Sequence, residues 1–191
     1  MKTNKNTMVY DAIDARIKTE FVNLLQTIGY KKITISQLIV KSEINRSTFY
    51  AHFLDKDDLI SHLQLNLLND LTQDLPDVNV YSLNDTSIVK GRIETIIQRI
   101  YANKHLFELF YSDKSDGLFF SRFSNFSEKL LLQTDIPENM AIPEVYSFAV
   151  INGAMVSLIQ GWIKRDFAET PEEFSNIISQ ILPAMFKNII A

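Results

Sequence analysis

Apolar residues return with a helical period along nearly the whole chain, and nothing else in the sequence limits its fold so strongly. In the first segment they fall at Ile13, Ile17, Phe21, Leu24, Leu25 and Ile28. That i, i+4, i+8, i+11, i+12 series marks one face of a helix. The period returns at Leu59, Leu63, Leu67 and Leu71, and again from Phe174 through Ile177, Ile178, Ile181, Leu182, Met185 and Phe186 to Ile189 and Ile190. No alternating pattern runs for more than a few residues, so no strand is expected. Five glycines and five prolines in 191 residues favour long helices over a turn-rich β fold. The expected class is all-α.

Capping residues divide this pattern into elements. Gly29 sits where a C-cap ends the first helix. Thr34, with Gln37 three residues on, has the form of a capping box and opens a short second helix with Ile35, Leu38 and Ile39 inward. Asn45 is placed to cap a third short helix carrying Phe49 and Phe53 on one face. Asp55, followed by Asp58, opens a long fourth. The polar stretch Pro76–Asp85 reads as a loop, as does the segment bracketed by Pro137 and Pro143. Further helices are expected at about 86–103, 104–112, 117–133, 143–166 and 171–190. Pro183 interrupts the last one on the side opposite its apolar face. No internal repeat occurs.

Hydrophobic residues at 46% and charged residues at 22% are values of a soluble globular protein. The lack of cysteine excludes disulfides, thiolate nucleophiles and cysteine-ligated metals, and suits a reducing cytoplasm. "MKTNKNTMVYDAID" has basic residues but no apolar run, so no signal peptide is expected. The net charge of −4 argues against a general polyanion binder, yet it hides a polarity. Residues 1–53 carry eight basic and four acidic residues, whereas 54–191 carry 11 basic and 19 acidic. A cationic head on an anionic body orients a molecule toward a polyanion; chance asymmetry is the alternative.

Enzymatic constellations are weak. His52, His62 and His105 lack metal-ligand spacing. "DKDD" at 55–58 resembles the start of a calcium loop, but Ile60 and Asn66 stand where such a loop needs glycine and glutamate. There is no phosphate-cradling glycine loop and no Gly-x-Ser-x-Gly elbow. No catalytic residue, metal site or cofactor is expected.

The nucleic-acid signal is stronger. A helix at 35–41, a turn at 42–45 and a helix at 46–52 have the proportions of a helix-turn-helix braced by a preceding helix. Arg46 is placed to reach guanine or phosphate, and Ser47 and Thr48 are short enough for close approach. Phe49 and Phe53 anchor the helix from behind, leaving Tyr50 and His52 for phosphates. Thr34 and Lys56 offer further phosphate contacts, at the starts of the second and fourth helices. The alternative is a helical hairpin that only packs.

"FVNLLQTIGYKKITISQLIVKSEINRSTFYAHFLDKDDLI" resembles the DNA-binding domain of the tetracycline-repressor (TetR) family. The shared pattern is an apolar helix ending in Gly-Tyr, then Ile-Thr-Ile, then Thr-Phe-Tyr-x-His-Phe, then Lys-x-x-Leu, over about residues 10–60. The resemblance implies a homodimeric transcription regulator, usually a repressor of a palindromic operator, with an effector pocket in its C-terminal helices. It assigns phosphate or base contacts to Thr34, Arg46, Ser47, Thr48, Tyr50, His52 and Lys56. Residues 1–54 are thus expected to form the DNA-binding domain and 55–191 the effector-binding and dimerisation domain. One departure stands out. Glu43 occupies the turn where the family commonly has glycine, which implies positive φ at a steric cost and an acid near the DNA.

Val145–Ile163 is 19 residues without a charge, the length of a membrane span. Asn152, Gln160 and two serines interrupt it, and no comparable segment exists, so no membrane is expected. Ala149, Gly153, Ser157 and Gly161 recur every four positions and form a stripe that admits a close helix. With the apolar face of the last helix (Phe174, Ile178, Ile181, Met185), it implies a two-fold dimer closed by a four-helix bundle; intrachain packing is the alternative. "NGAMVSLIQGWIKRDFAETPEEFSNII" is also similar to a TetR-family C-terminal type with a Thr-Pro-Glu-Glu helix start.

An aromatic cluster, Phe107, Phe110, Tyr111, Phe119, Phe123 and Phe126, suits a cavity for a small hydrophobic or aromatic effector. Tyr146, Asn152, Met155 and Trp162 add walls and a hydrogen-bonding point. An ordinary aromatic core is the alternative. The lack of a recognisable polar pocket group motivates a second reading, in which the body binds a protein partner, as a co-activator or adaptor.

Overall fold

The computed structural model describes residues 2–75, 86–133 and 137–186. Among them are nine α-helices and no strand: α1 (Lys2–Ile28), α2 (Ile35–Lys41), α3 (Arg46–His52), α4 (Lys56–Thr72), α5 (Thr86–Ala102), α6 (Lys104–Tyr111), α7 (Phe119–Leu132), α8 (Glu144–Lys164) and α9 (Pro171–Phe186). A 3-10 turn at Tyr30–Lys32 joins α1 to α2, and another covers Pro137–Asn139. The all-α expectation holds. The expected loop Pro76–Asp85 and the apolar residues Ile189 and Ile190 lie outside the described residues. The helix carrying Ile13 begins at Lys2, well before its apolar series starts.

The chain forms two compact units. One comprises the residues up to Asn66 together with Leu109–Phe119; the other comprises Leu67–Glu108 and the residues from Phe120 on. In the first, α1 packs on α2 and α2 on α3. Ile17, Phe21 and Leu25 of α1, Leu38 of α2, Phe49 of α3 and Leu59 and Ile60 of α4 have no exposed surface. The caps form as their spacing requires. Gln37 N–H donates to Thr34 Oγ1 and Thr34 N–H to Gln37 Oε1, closing the capping box. Asn45 Oδ1 accepts from Thr48 N–H.

In the second unit α5 packs along α9. Its centre is Trp162, 1% exposed, stacked on Phe174 at 4.2 Å and edge-on to Phe167 at 4.8 Å. The indole N–H donates to the Glu169 carbonyl at 3.0 Å, so the ring is buried with its polar atom satisfied. Arg99 Nη1 donates to the carbonyls of Asp70, Leu71 and Gln73, which covers the bare C-terminal end of α4. Among the described residues only α8 is long and apolar enough to cross a membrane by length and composition.

Candidate nucleic-acid interface

The exposed edge of α3 is built on one side chain. Asn45 Oδ1 accepts from the Thr48 amide at 2.8 Å, from the Thr48 hydroxyl at 2.9 Å and from the Ser47 hydroxyl at 2.7 Å. The two hydroxyls are therefore held at the helix start, each keeping oxygen lone pairs that can accept. One turn on, Arg46 and Tyr50 pair at i, i+4: the guanidinium lies 5.5 Å from the ring centroid and Nη2 donates to the phenolic oxygen at 3.3 Å. Both are exposed. Thr34, Arg46, Ser47 and Tyr50 thus lie at the surface with polar atoms outward, while Thr48 is half-buried.

His52 departs from the phosphate contact expected of it. Its side chain is 2% exposed and its ring stacks on Tyr10 at 3.8 Å, with 21° between the planes. The Tyr10 hydroxyl donates to the Ala51 carbonyl at 3.2 Å. Nδ1 lies 3.7 Å from Asp14 Oδ1, too far for a hydrogen bond, and Asp14 pairs with Lys18 at 2.6 Å. The physical reason is the length of α1, whose early turns reach the end of α3 and cover the imidazole. Tyr10, Asp14 and Lys18 at i, i+4, i+8 were the available signal.

Lys56 is half-buried. Its Nζ donates to the carbonyls of Tyr30 (3.1 Å) and Ile33 (3.3 Å) and sits 4.3 Å above the Tyr30 ring. An ammonium has three donors, so at most one remains for a phosphate. Glu43 takes the left-handed conformation at φ 51°, as its place in the turn required. Its carboxylate is 83% exposed and lies 4.0 Å from Arg16.

A family model described as "Transcriptional regulator C-terminal region", of TetR type, matches residues 90–184. The chain belongs to the TetR family. Regulation of transcription through DNA binding follows from that membership. Solved structures carry the same fold. A TetR transcriptional regulator from Streptococcus agalactiae 2603V aligns with a TM-score of 0.69 at 22% identity, covering 95% of this chain and 99% of that one. The dihydroxyacetone kinase operon activator DhaS aligns at 0.55 and 18%, covering 93% and 96%. NalD of Pseudomonas aeruginosa, the secondary repressor of the MexAB-OprM multidrug efflux pump, aligns at 0.62 and 12%, covering 95% and 97%. No curated protein matches by sequence.

In this TetR-family chain the ten effector candidates divide between the two units. Phe110, Tyr111 and Phe119 belong to the first, where the rings of Phe110 and Phe119 meet at 5.6 Å. Phe107, Phe123, Phe126, Tyr146, Asn152, Met155 and Trp162 belong to the second. Phe107, Phe123 and Trp162 are buried, Phe126 and Met155 half-buried, and Tyr146 is 64% exposed. Trp162 is enclosed by packed rings and presents no free face. Asn152 is buried, and its Nδ2 donates to Ser124 Oγ at 2.8 Å and to the Ser124 carbonyl at 3.1 Å, while its Oδ1 has no hydrogen-bond partner among the described residues.

The dimer candidates also separate. Ala149, Gly153 and Ser157 of α8 are exposed, with Val145 and Val150 beside them, and Gly161 is half-buried. Among the described residues, nothing beyond the helix's own backbone stands within 4 Å of a Cβ added at Gly153 or Gly161. On α9, Phe174 and Ile178 are interior residues, because that face packs within the unit; Ile177 is exposed, and Ile181 and Met185 are half-buried.

Proposed function

We propose that this protein is a homodimeric repressor, acting in the cytoplasm, that binds a palindromic operator and is released by a small hydrophobic or aromatic effector. The observation that carries the DNA reading is the outward edge of α3, where Arg46, Ser47, Thr48 and Tyr50 are organised on Asn45 and by their own pairing. Arg46 serves a guanine edge or a phosphate, and Ser47, Thr48 and Tyr50 serve the backbone. Thr34 adds a phosphate contact from the N-cap of α2, and Lys56 adds its remaining donor. His52 braces the helix rather than touching DNA. The dimer forms through the open α8 stripe, with Ile177, Ile181 and Met185 of α9 alongside, two copies closing a bundle. The domain division at 54/55 assigns reading to the head and ligand response to the body. Effector binding changes the spacing of the two heads by favouring one conformation over another. Asn152 Oδ1 supplies an acceptor for a donor group on the effector.

Selection of bound duplexes from a random pool, repeated with hydrophobic ligands present, tests this reading. Enrichment of a palindrome that a ligand abolishes supports it; no enrichment contradicts it.

A second reading has the same DNA head with a body that binds a protein partner, as a co-activator or adaptor. It is favoured by the enclosure of Trp162, which leaves that ring no ligand face, and by the structural likeness to an operon activator. A stable second protein co-purifying with the chain favours it over the effector-released repressor.

A further inference from the structure

We infer that the turn between α6 and α7, with Lys114 at its tip, is a positioning device for the phosphate-gripping end of the reading motif. The turn, residues 112–118, lies late in the sequence, yet it belongs to the unit that contains α1, α2 and α3. The Lys114 carbonyl accepts from the Tyr30 amide at 2.7 Å, and Lys114 Nζ donates to the Gln26 carbonyl at 2.6 Å. Gly29, at φ 77°, brings the end of α1 so near that a Cβ added there would stand 3.6 Å from the Lys114 oxygen. A second anchor is buried. Gln64 of α4 has no exposed surface, and its Nε2 donates to Ser115 Oγ at 3.4 Å and to Asp116 Oδ1 at 3.3 Å. Asp116 Oδ1 also accepts from the Leu118 amide at 3.1 Å. A buried polar network of this kind fixes one geometry where apolar packing would tolerate several.

The path from this turn to the reading motif is short. Tyr30, whose amide Lys114 holds, gives its carbonyl to Lys56, which also takes the Ile33 carbonyl. The next residue is Thr34, the N-cap of α2. Segment 29–33 is therefore pinned by Lys114 through its amide and by Lys56 through its carbonyls, and a shift at either pin moves the cap. Lys114 acts through Tyr30 and does not itself contact DNA. The role rests on the DNA-binding reading above.

The test combines amide hydrogen exchange with DNA binding on the full-length protein. Lys114→Met removes the Nζ bond and keeps the apolar stem. Gln64→Met with Lys114→Met removes both side-chain anchors, leaving the Lys114 carbonyl without what positions it against the Tyr30 amide. In the double variant the Tyr30 and α2 amides are expected to exchange about fivefold faster, the loss of about one hydrogen bond's worth of restraint. The Kd for a selected duplex should rise about fivefold, with the salt dependence of binding unchanged. Lys114→Arg should restore both. Unchanged exchange at Tyr30 in the double variant overturns the device. So does a salt slope lowered by about one in Lys114→Met, which would make Lys114 a phosphate contact. If the double variant does not fold, the single exposed change gives the same two readouts. If the unaltered protein binds no duplex, the DNA-binding reading falls, and exchange at Tyr30 still decides whether the turn holds α2.

Discussion

His52 shows how one neighbour decides a side chain's role. On α3 alone its position suits a phosphate contact, but Tyr10 covers the ring and Asp14 sits beside its nitrogen. Tyr10→Ala removes a stacked pair and the bond to the Ala51 carbonyl, so it should destabilise the protein by about 1–2 kcal/mol in urea unfolding. It should also weaken DNA binding without altering the salt dependence, because no phosphate contact is lost. Glu43 poses the opposite case, since its place where the family commonly has glycine implied a left-handed residue, and φ 51° is what occurs. A left-handed side-chain residue costs about 1–2 kcal/mol. Glu43→Gly should therefore stabilise by about 0.5–1 kcal/mol, after allowance for the freer unfolded chain. Glu43→Gln should leave stability within about 0.5 kcal/mol yet tighten DNA binding at low salt. Comparing the two variants separates backbone strain from charge.

At the scale of elements, the helices were legible because their signals are local. Thr34 with Gln37, Asn45, and Thr170 with Glu173 are spacing rules satisfied within one turn, and all three caps form. What was not legible is which neighbour a face meets. The period of α9 marks Phe174 and Ile178 as apolar, but the sequence does not tell that they pack on Trp162 and its surroundings rather than on a second copy. The start of α1 was missed for a related reason: Lys2–Ala12 carries little apolar period, and its last turn is held by Tyr10 on α3. The Thr170 amide and hydroxyl hold the Glu173 carboxyl below its ordinary range. The folded state thus favours the charged form, so this contribution is full above the unfolded glutamate's pKa and is lost as pH falls through the lowered value. Thr170→Ala should flatten the acid limb of thermal stability in that window, measured by Tm against pH. Ala149→Glu on the open α8 stripe should convert the proposed dimer to monomer in sedimentation, with little change in helicity.

At the scale of the whole molecule, the charge polarity read from composition agrees with the place of the reading helices: the basic residues gather in the stretch that forms α1, α2 and α3. The inclusion of Leu109–Phe119 in that same unit was beyond sequence reasoning, since it depends on contacts between residues 51 to 88 positions apart, such as Gln64 with Ser115 and Gln26 with Lys114. The aromatic run at 107–126 was visible, but its division between two units was not. The proposal for the edge of α3 is a grip on a duplex through phosphates, with Arg46 on a guanine edge or a further phosphate. The most direct measurement is the Kd of a selected duplex over a salt series, for the unaltered protein and for Arg46→Ala. On this proposal log Kd rises linearly with log salt, and Arg46→Ala weakens binding by about 1–3 kcal/mol and relaxes sequence preference if Arg46 reads a base. Binding that does not change with salt, or no affinity for any duplex, would contradict it.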